Sequence, residues 1–328
     1  MEIRLPLRWL LWYDGGMEAR GFIYGTIAID TLLTPNGQVS SVLGGSGPYA
    51  ALAARLVTDA LELVGVVGDD FPKEWGMALE ARGVSMRHVA HAPGQTFAWT
   101  GRYEEDMNNR TTVSTTEGVQ QDWDVQLPAE LRRAPLAVLA NVTPPLQYRM
   151  LECCEAAEFS MADFMKSWIE REREYTEKLL SRVDLALMND EEARAYARTD
   201  DALEAGYRML EAGPRYVIVK HGSAGATLFA RAEEGGKPRL FRCPAWPLVH
   251  PQDPTGAGDA FMGALAGYLC GRLRGGHPAW EDMKRGVALA TVTAAAVCEK
   301  FGTISLFSLT RDALAKRMAD FYEMTAWE

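Results

Sequence analysis

The chain has 328 residues, of which 48% are apolar and 24% are charged, and its formal net charge is −10. These proportions are typical of a globular enzyme or binding protein, and the length allows one large α/β domain or two ordinary ones. The negative net charge argues against a general nucleic-acid or anionic-membrane surface. Every apolar run is shorter than the roughly 18 residues of a membrane span. Together with the negative net charge, this predicts no membrane or nucleic-acid partner. We also predict that the protein is cytoplasmic.

Residues 1–20 contain an arginine-flanked apolar patch but no small-residue cleavage site, so we interpret them as an N-terminal extension rather than a signal peptide. The five cysteines form no C-x-x-C pair, which predicts reduced thiols. His88 and His91 would point to opposite faces of a strand, which argues against a zinc site.

Apolar strand-like runs alternate with helical runs along most of the chain. One helix is predicted at 48–57, with Pro48 in its first turn, and another at 71–83, ending at Gly83. Near-continuous apolar strands separated by helices predict an α/β fold, a doubly wound, mostly parallel sheet flanked by helices. The predicted strands are 21–30, 61–70, 136–141, 159–163, 183–189 and 216–221.

Two segments, 31–43 and 95–118, interrupt this rhythm with period-2 alternation, and the second carries an Asn-Asn turn at 108–109. We predict that they form a small β lid over a site at the strand ends, with an edge extension of no functional role as the alternative. Residues 21–328 would then form one domain that includes the lid. An exposed lid strand also predicts a homodimer formed by strand pairing.

The segment DPTGAGD, residues 253–259, directly precedes an apolar helix. A helix N-terminus carries unpaired N–H groups and a partial positive charge, and Gly256, Ala257 and Gly258 are small enough to let an anion approach them. Local physics leaves two interpretations open. The segment is either an anion cradle with Asp259 as a base, or a helix start in which Asp259 only complements the helix dipole.

A rival pattern is Gly45-x-Gly47-x-x-Ala50 with Asp69 further on, which fits a dinucleotide-binding fingerprint. That fingerprint requires a strand that runs directly into the glycines, and the predicted strand ends at residue 30. An NAD(P)-dependent oxidoreductase is therefore the weaker alternative.

Two further turns follow neighbouring predicted strands. Asn189 and Glu192 are spaced to hold a hydrated magnesium ion through water, or to form an ordinary helix cap with its capping-box partner. Lys220, Gly222 and Gly225 form a second tight turn.

The order of these elements resembles the ribokinase-like, or PfkB-type, carbohydrate kinase family from about residue 20 onward. The resemblance implies transfer of the ATP γ-phosphoryl group to a hydroxyl of a sugar, polyol or related small molecule. It implies that Gly256, Ala257 and Gly258 form the anion hole and that Asp259 is the catalytic base. A non-catalytic sugar-sensing relative need not keep Asp259. The implied ATP-binding residues are Asn189, Glu192, Lys220, Gly222, Gly225 and Thr255.

The same resemblance implies that Glu192 holds Mg²⁺ through water. Family members often also use a monovalent cation such as K⁺, for which Asp253 is the candidate ligand. Cofactors are therefore expected to be ATP and Mg²⁺, with K⁺ as a further candidate.

The acceptor side departs from the sugar kinases of the family, since Ser46 and Tyr49 stand where many of them carry asparagine or lysine. Tyr49, with Phe97 and Trp99 from the lid, could stack on a ring, which keeps a nucleoside kinase as the alternative to a sugar kinase. The substrate-binding candidates are Asp30, Gly44, Gly45, Ser46, Tyr49, Trp99, Arg110 and Asp163.

Overall fold

The computed structural model describes residues 20–105, 107, 110–232, 236–273 and 276–326. Of the predicted extension only Arg20 is described, and its N–H donates to Ala60 O while its carbonyl accepts from Leu136 N–H. The Asn-Asn turn lies outside the described residues. The division into an extension and one domain stays a prediction.

The elements alternate in the order that the sequence suggests. The strands are β1 (Gly21–Tyr24), β2 (Ala28–Thr34), β3 (Gly37–Gly44), β4 (Leu61–Val67), β5 (Val89–His91), β6 (Phe97–Tyr103), β7 (Arg110–Thr116), β8 (Leu136–Leu139), β9 (Phe159–Asp163), β10 (Leu185–Asn189), β11 (Tyr216–Lys220), β12 (Ala226–Ala230) and β13 (Arg239–Cys243). The helices are α1 (Ser46–Arg55), α2 (Lys73–Ala81), α3 (Pro144–Glu152), α4 (Lys166–Arg171), α5 (Arg173–Leu180), α6 (Asp190–Ala197), α7 (Ala202–Ala212), α8 (Ala257–Cys270), α9 (Trp280–Val297), α10 (Ile304–Ser308) and α11 (Arg311–Thr325).

Within the described residues, nine strands form one sheet in the order β13-β12-β11-β10-β9-β8-β1-β4-β5. The strands from β11 to β5 pair in parallel, whereas β12 and β13 pair antiparallel at one edge. The mostly parallel α/β sheet is therefore confirmed, although the sequence analysis did not predict β12 and β13. From β1 the chain adds β4 and then β5 on one side, and from β8 it adds β9, β10 and β11 on the other side. The topological switch point therefore lies between β1 and β8.

Both faces of the large sheet are covered, which explains why its strands are apolar along their whole length. Alternate residues of one strand belong to different cores: Ile23 belongs to the core that includes residues of α1, α8 and α9, and Phe22 to the core on the opposite face, with residues of α3, α5 and α7. Within the described part of the chain, no helix is long and apolar enough to cross a membrane.

The prediction of one strand over 21–30 is wrong. The chain leaves the large sheet after Tyr24 and enters a second sheet at Ala28. The bend is held by α1, because Thr26 N–H donates to Ser46 Oγ at 3.1 Å and Gly47 N–H donates to Thr26 O at 2.9 Å. The small second sheet, whose role as a lid stays a prediction, therefore begins at Ala28 rather than at residue 31.

The lid sheet has the order β3-β2-β6-β7 among the described residues. Strand β2 runs parallel to β6, and the pairs β2–β3 and β6–β7 are antiparallel. β7 lies at the edge of this sheet and is exposed along its whole length. A homodimer through this edge stays a prediction.

We predict that Gly263→Ala in α8 destabilises the fold by about 1–3 kcal/mol, the usual cost of overpacking. An added Cβ would lie 2.0 Å from Ala50 O in α1, and backbone cannot move aside as a side chain can. The measurement is thermal or urea unfolding. Gly76→Ala in α2 is the control, since its Cβ would meet nothing nearer than 4.0 Å and should stabilise the helix by about 0.5–1 kcal/mol. Equal effects of the two changes would contradict the prediction.

Candidate active site

The site lies at the topological switch point, where the carboxyl ends of β1 and β8 meet the start of α1. Ser46 Oγ donates to Asn141 O at 2.8 Å, and Thr26 Oγ1 donates to the same carbonyl at 3.1 Å. Ser46 is buried and its hydroxyl is engaged in these bonds, so its expected role as an acceptor ligand is corrected to that of a support. Gly45, which begins the dinucleotide pattern, follows the lid strand β3 rather than a strand of the large sheet, which removes the structural context that a dinucleotide site requires.

The glycine-rich turn before α8 has the geometry of an anion cradle. Gly256 is the N-cap with φ 77° and ψ 0°, a left-handed conformation, and a Cβ there would lie 2.3 Å from the Tyr49 ring. Only glycine satisfies both requirements. Ala257 N–H is engaged in a turn hydrogen bond to Pro254 O at 3.1 Å. The N–H of Gly258 lies in the first helical turn, where no intrahelical acceptor exists.

Asp253 stabilises this turn through hydrogen bonds to its carboxylate. Its carboxylate is fully buried and accepts from Thr255 N–H at 2.9 Å and from Gly302 N–H at 2.8 Å. Both oxygens are thus already engaged by backbone donors, and in the described part of the chain no group of three His, Cys, Asp or Glu side chains could hold a metal ion. The K⁺ role of Asp253 stays a prediction.

Asp259 lies among other charged groups in the first turn of α8. Burial, reinforced by the nearby charge of Asp163, raises the pKa of Asp259 to about 6, while Lys220 and Arg110 act in the opposite direction. Lys220 Nζ forms a 2.7 Å ion pair with Asp163 Oδ1. It also lies 3.1 Å from where a Cβ of Gly258 would be, so this ammonium group adjoins the anion cradle.

Asn189 and Glu192 form a complete capping box at the start of α6. Asn189 Oδ1 accepts from Glu192 N–H at 2.8 Å, and Glu192 Oε2 accepts from Asn189 N–H at 2.7 Å. Burial raises the pKa of Glu192 to about 7, with Lys220 opposing and Asp163 reinforcing that shift. The capping box engages one carboxylate oxygen. A single carboxylate fits a magnesium ion that keeps most of its water, and the role of Glu192 in holding Mg²⁺ stays a prediction.

The turn after β11 is tightly closed. Gly222 and Gly225 both have positive φ, 54° and 94°, and His221 N–H donates to Gly225 O at 2.7 Å. A Cβ at Gly225 would lie 2.0 Å from Cys243 O, so the loop packs directly on β13.

On the acceptor side, Asp30 projects from lid strand β2 against the two glycines. A Cβ on Gly44 would lie 1.8 Å from Asp30 Oδ2, so the carboxylate packs directly on this glycine. Asp30 Oδ1 is buried and has no hydrogen-bond partner among the described residues, and the same holds for Asn141 Oδ1. Burial raises the pKa of Asp30 to about 7, opposed by Gly45 N–H and reinforced by Asp259. Two unpaired acceptor atoms at one site are suited to a ligand that donates hydroxyl or amino protons.

The predicted stacking role of Tyr49 is wrong. Its side chain is 1% exposed, and its ring packs behind Gly256 rather than toward the cleft. Trp99 is half-buried and pairs with Asp30 across the parallel β2–β6 ladder, so the two side chains share one face of the lid. Phe97 is also half-buried, two residues earlier on that face.

The Trp99 ring is held in place on three sides. It covers Gly101, where a Cβ would lie 2.0 Å from the ring. Trp99 Nε1 donates to Thr112 Oγ1 at 3.1 Å, and the Arg110 guanidinium lies 5.7 Å from the ring centroid. Arg110 acts electrostatically on Asp259 and Glu192, so β7 delivers a positive charge to the site.

Two site residues were missed by the sequence analysis. Asn141 is the last residue of the predicted strand 136–141, and it lies two residues beyond the end of β8. Tyr103 continues the alternation 99, 101, 103 on β6, and this alternation was the one signal that could have placed it on the inner face of the lid.

The chain is similar to one family model and to several known proteins. A family model described as pfkB family carbohydrate kinase matches residues 23–310. A cytidine kinase from Thermococcus kodakarensis is 29% identical over 290 residues, covering 87% of this chain and 98% of the relative. A Burkholderia thailandensis nucleoside kinase in complex with inosine has a TM-score of 0.71 at 22% identity, covering 92% of this chain and 99% of that one. Ribokinase from Giardia lamblia has a TM-score of 0.74 at 19% identity with the same coverage, and at these identities both structures establish the fold alone.

We predict that Asp30→Asn raises the melting temperature at pH 8 and changes it less at pH 5. Because the folded-state pKa of about 7 exceeds the usual 3.8, folding favours the protonated carboxyl, and stability is lost as pH rises toward 7. The amide removes that cost and can still accept from Gly45 N–H. Each kcal/mol gained corresponds to about 2–4 °C in domains of about 150–250 residues.

Differential scanning fluorimetry from pH 5 to pH 8 measures this effect, with the exposed Asp122→Asn as control. A difference in melting temperature that does not change with pH would contradict the prediction.

Proposed function

Because the chain belongs to the pfkB family of carbohydrate kinases, we propose that it transfers the γ-phosphoryl group of ATP to a hydroxyl of a nucleoside. A plain sugar or polyol is the second candidate acceptor. One observation carries the kinase assignment: Asp259 stands in the first turn of α8, directly after the glycine turn, and Lys220 Nζ adjoins that turn at 3.1 Å from where a Cβ of Gly258 would be.

The transferred phosphoryl group passes through a loose transition state, so catalysis rests on positioning and on charge stabilisation. The N–H groups of Gly256 and Gly258 and the ammonium of Lys220 would meet the charge on the transferred group. Arg110 would approach it from the lid. Mg²⁺, held through water near Glu192, would neutralise the phosphate oxygens.

Asp259 would orient the acceptor hydroxyl and take its proton. A carboxylate whose pKa is about 6 is a stronger base than one at the usual 3.8, yet it is still ionised at neutral pH. The same burial that raises the pKa also excludes water, which disfavours hydrolysis of ATP.

The acceptor side supports a nucleoside. The unpaired Oδ1 of Asp30 can accept from a ribose diol, and a base attached to that ribose would come next to Trp99 on the neighbouring strand. Aromatic stacking of a base contributes about 1–3 kcal/mol. The cytidine kinase relative and the inosine-bound nucleoside kinase agree with this choice. The unpaired Asn141 Oδ1 offers a second acceptor, for a hydroxyl or an amino group.

A sugar acceptor remains the second candidate because ribokinase from Giardia lamblia shares the fold. A coupled ADP-release assay with cytidine, inosine, ribose and fructose decides between the two. We expect kcat/KM to be highest for a nucleoside. A preference for free ribose or fructose over both nucleosides would refute the nucleoside assignment.

We predict that Asp259→Asn lowers kcat by about two to four orders of magnitude, the usual contribution of a general base. Binding of a non-hydrolysable ATP analogue should be retained. Asp312→Asn is the matched control, because Asp312 is also a first-turn acid, in α11. If Asp259 only complemented its helix dipole, both variants would lose a similar small amount of stability and neither would lose turnover.

We predict that kcat/KM falls about tenfold per pH unit below pH 6, since protonated Asp259 cannot take the hydroxyl proton. The same fall of kcat/KM below pH 6 should persist in Asp30→Asn, measured on the residual activity of that variant. A flat profile from pH 5 to pH 7 would contradict the assignment of Asp259 as the base.

A further inference from the structure

One hydrogen bond joins the lid to the loop that leads into the anion cradle. Thr255 Oγ1 donates to the Tyr103 hydroxyl at 3.1 Å, between residues 152 positions apart in the chain. Both side chains are buried, at 6% exposure each. A bond between buried groups is costly to leave unmade, because the freed hydroxyls would have no water to replace it.

Tyr103 is anchored within the lid by its cross-strand neighbour. In the β6–β7 ladder Tyr103 lies directly opposite Arg110, and the positive charge of Arg110 acts on the Tyr103 hydroxyl. The Tyr103 oxygen thus lies near the Arg110 charge of the lid and accepts a hydrogen bond from the anion-cradle loop. The position of the Tyr103 side chain therefore depends on the position of β7 and Arg110.

Thr255 is the residue immediately before Gly256. Its N–H is held by Asp253, so the Tyr103 bond fixes the same residue through its side chain. Rotation at Thr255 would turn the peptide plane that carries Gly256 N–H. A constraint on Thr255 is therefore a constraint on the first donor of the anion cradle.

The other half of the lid touches the same loop. Asn36, at the tip of the β2–β3 hairpin, donates from Nδ2 to Pro251 O at 2.8 Å. Within the described residues, each lid hairpin therefore has a hydrogen bond to the segment 251–256. The strands of those hairpins carry Asp30 and Trp99, which border the acceptor.

We propose that Tyr103 is a positioning residue that couples the acceptor to the anion cradle through Thr255. An acceptor that binds Asp30 and Trp99 holds the lid where Tyr103 meets Thr255, which sets Gly256 and Gly258 for the phosphates. The coupling is reciprocal, so the acceptor should tighten ATP binding and ATP should tighten acceptor binding by the same factor. The acceptor part of this inference rests on the proposed function.

Calorimetry tests the coupling as the ratio of the dissociation constants of a non-hydrolysable ATP analogue without and with cytidine. We expect a ratio of about 10 in the wild type, within the usual range of about 5–150, and a ratio near 1 in Tyr103→Phe. That variant should also lower kcat about tenfold with little change in the KM for the nucleoside. Tyr207→Phe on α7 is the matched control, since its ring packs on Phe229 far from the lid. An unchanged ratio in Tyr103→Phe would overturn the role of Tyr103.

A double-mutant cycle assigns the effect to the Tyr103–Thr255 bond. Thr255→Val removes the hydroxyl and should reproduce Tyr103→Phe, the double variant should be no worse than either, and Thr255→Ser should restore the wild-type ratio. If the two single effects multiply instead, Thr255 acts on ATP independently and the proposal is refuted.

A readout without an acceptor separates this proposal from the proposed function. Amide hydrogen exchange in peptides covering residues 252–260 should be faster in Tyr103→Phe than in the wild type and unchanged in Tyr207→Phe. If no nucleoside or sugar is phosphorylated, the proposed function fails. The exchange then decides on Tyr103 alone: faster exchange supports its hold on the loop, and unchanged exchange overturns it.

Discussion

The close approach of α1 and α8 is the constraint on which the site depends. Helix α1 begins directly after the glycines that hold Asp30, and α8 begins at the anion cradle. Gly263 lets the α8 backbone meet Ala50 O, and at the other end the Tyr49 ring lies against Gly256. Because these contacts allow no extra atoms, the spacing between the acceptor side and the phosphoryl side is fixed by packing rather than by the ligands.

Burial of like charges is the second constraint. Asp30, Asp163, Glu192 and Asp259 are near enough for several of them to raise one another's pKa, and two cations offset them only in part. Such an arrangement costs stability and is typical of functional sites, where proton affinity has been moved toward neutrality. It accounts for a carboxylate that can act as a base near pH 7 and for a capping-box glutamate that is also suited to a hydrated metal.

The sequence was sufficient for the parallel sheet, because strands buried on both faces leave long apolar runs. It was also sufficient for the start of α8, because the glycines stand directly before an apolar helical run. It was not sufficient for the break at residues 25–27. Phe22 and Ile29 lie in equally apolar sequence. The bend between them depends on hydrogen bonds of Thr26 with Ser46 and Gly47, which come later in the chain. The short strand β13 was missed for a similar reason. It forms by antiparallel pairing with β12, and its own residues carry no signal of that pairing.

Tyr49 shows how an individual residue type can mislead. An aromatic residue at a position where sugar kinases of the family carry a polar one suggests a new contact with the acceptor. The ring instead packs against Gly256 and is buried, so it offers no aromatic face to a ligand. Selectivity must then rest on the groups that still face the acceptor. Asp30 and Asn141 supply unpaired oxygens, and Trp99 supplies the one aromatic face fixed beside Asp30 in the described part of the chain. In the proposed function, a free sugar would satisfy the oxygens but leave that face uncovered, whereas a nucleoside would use both.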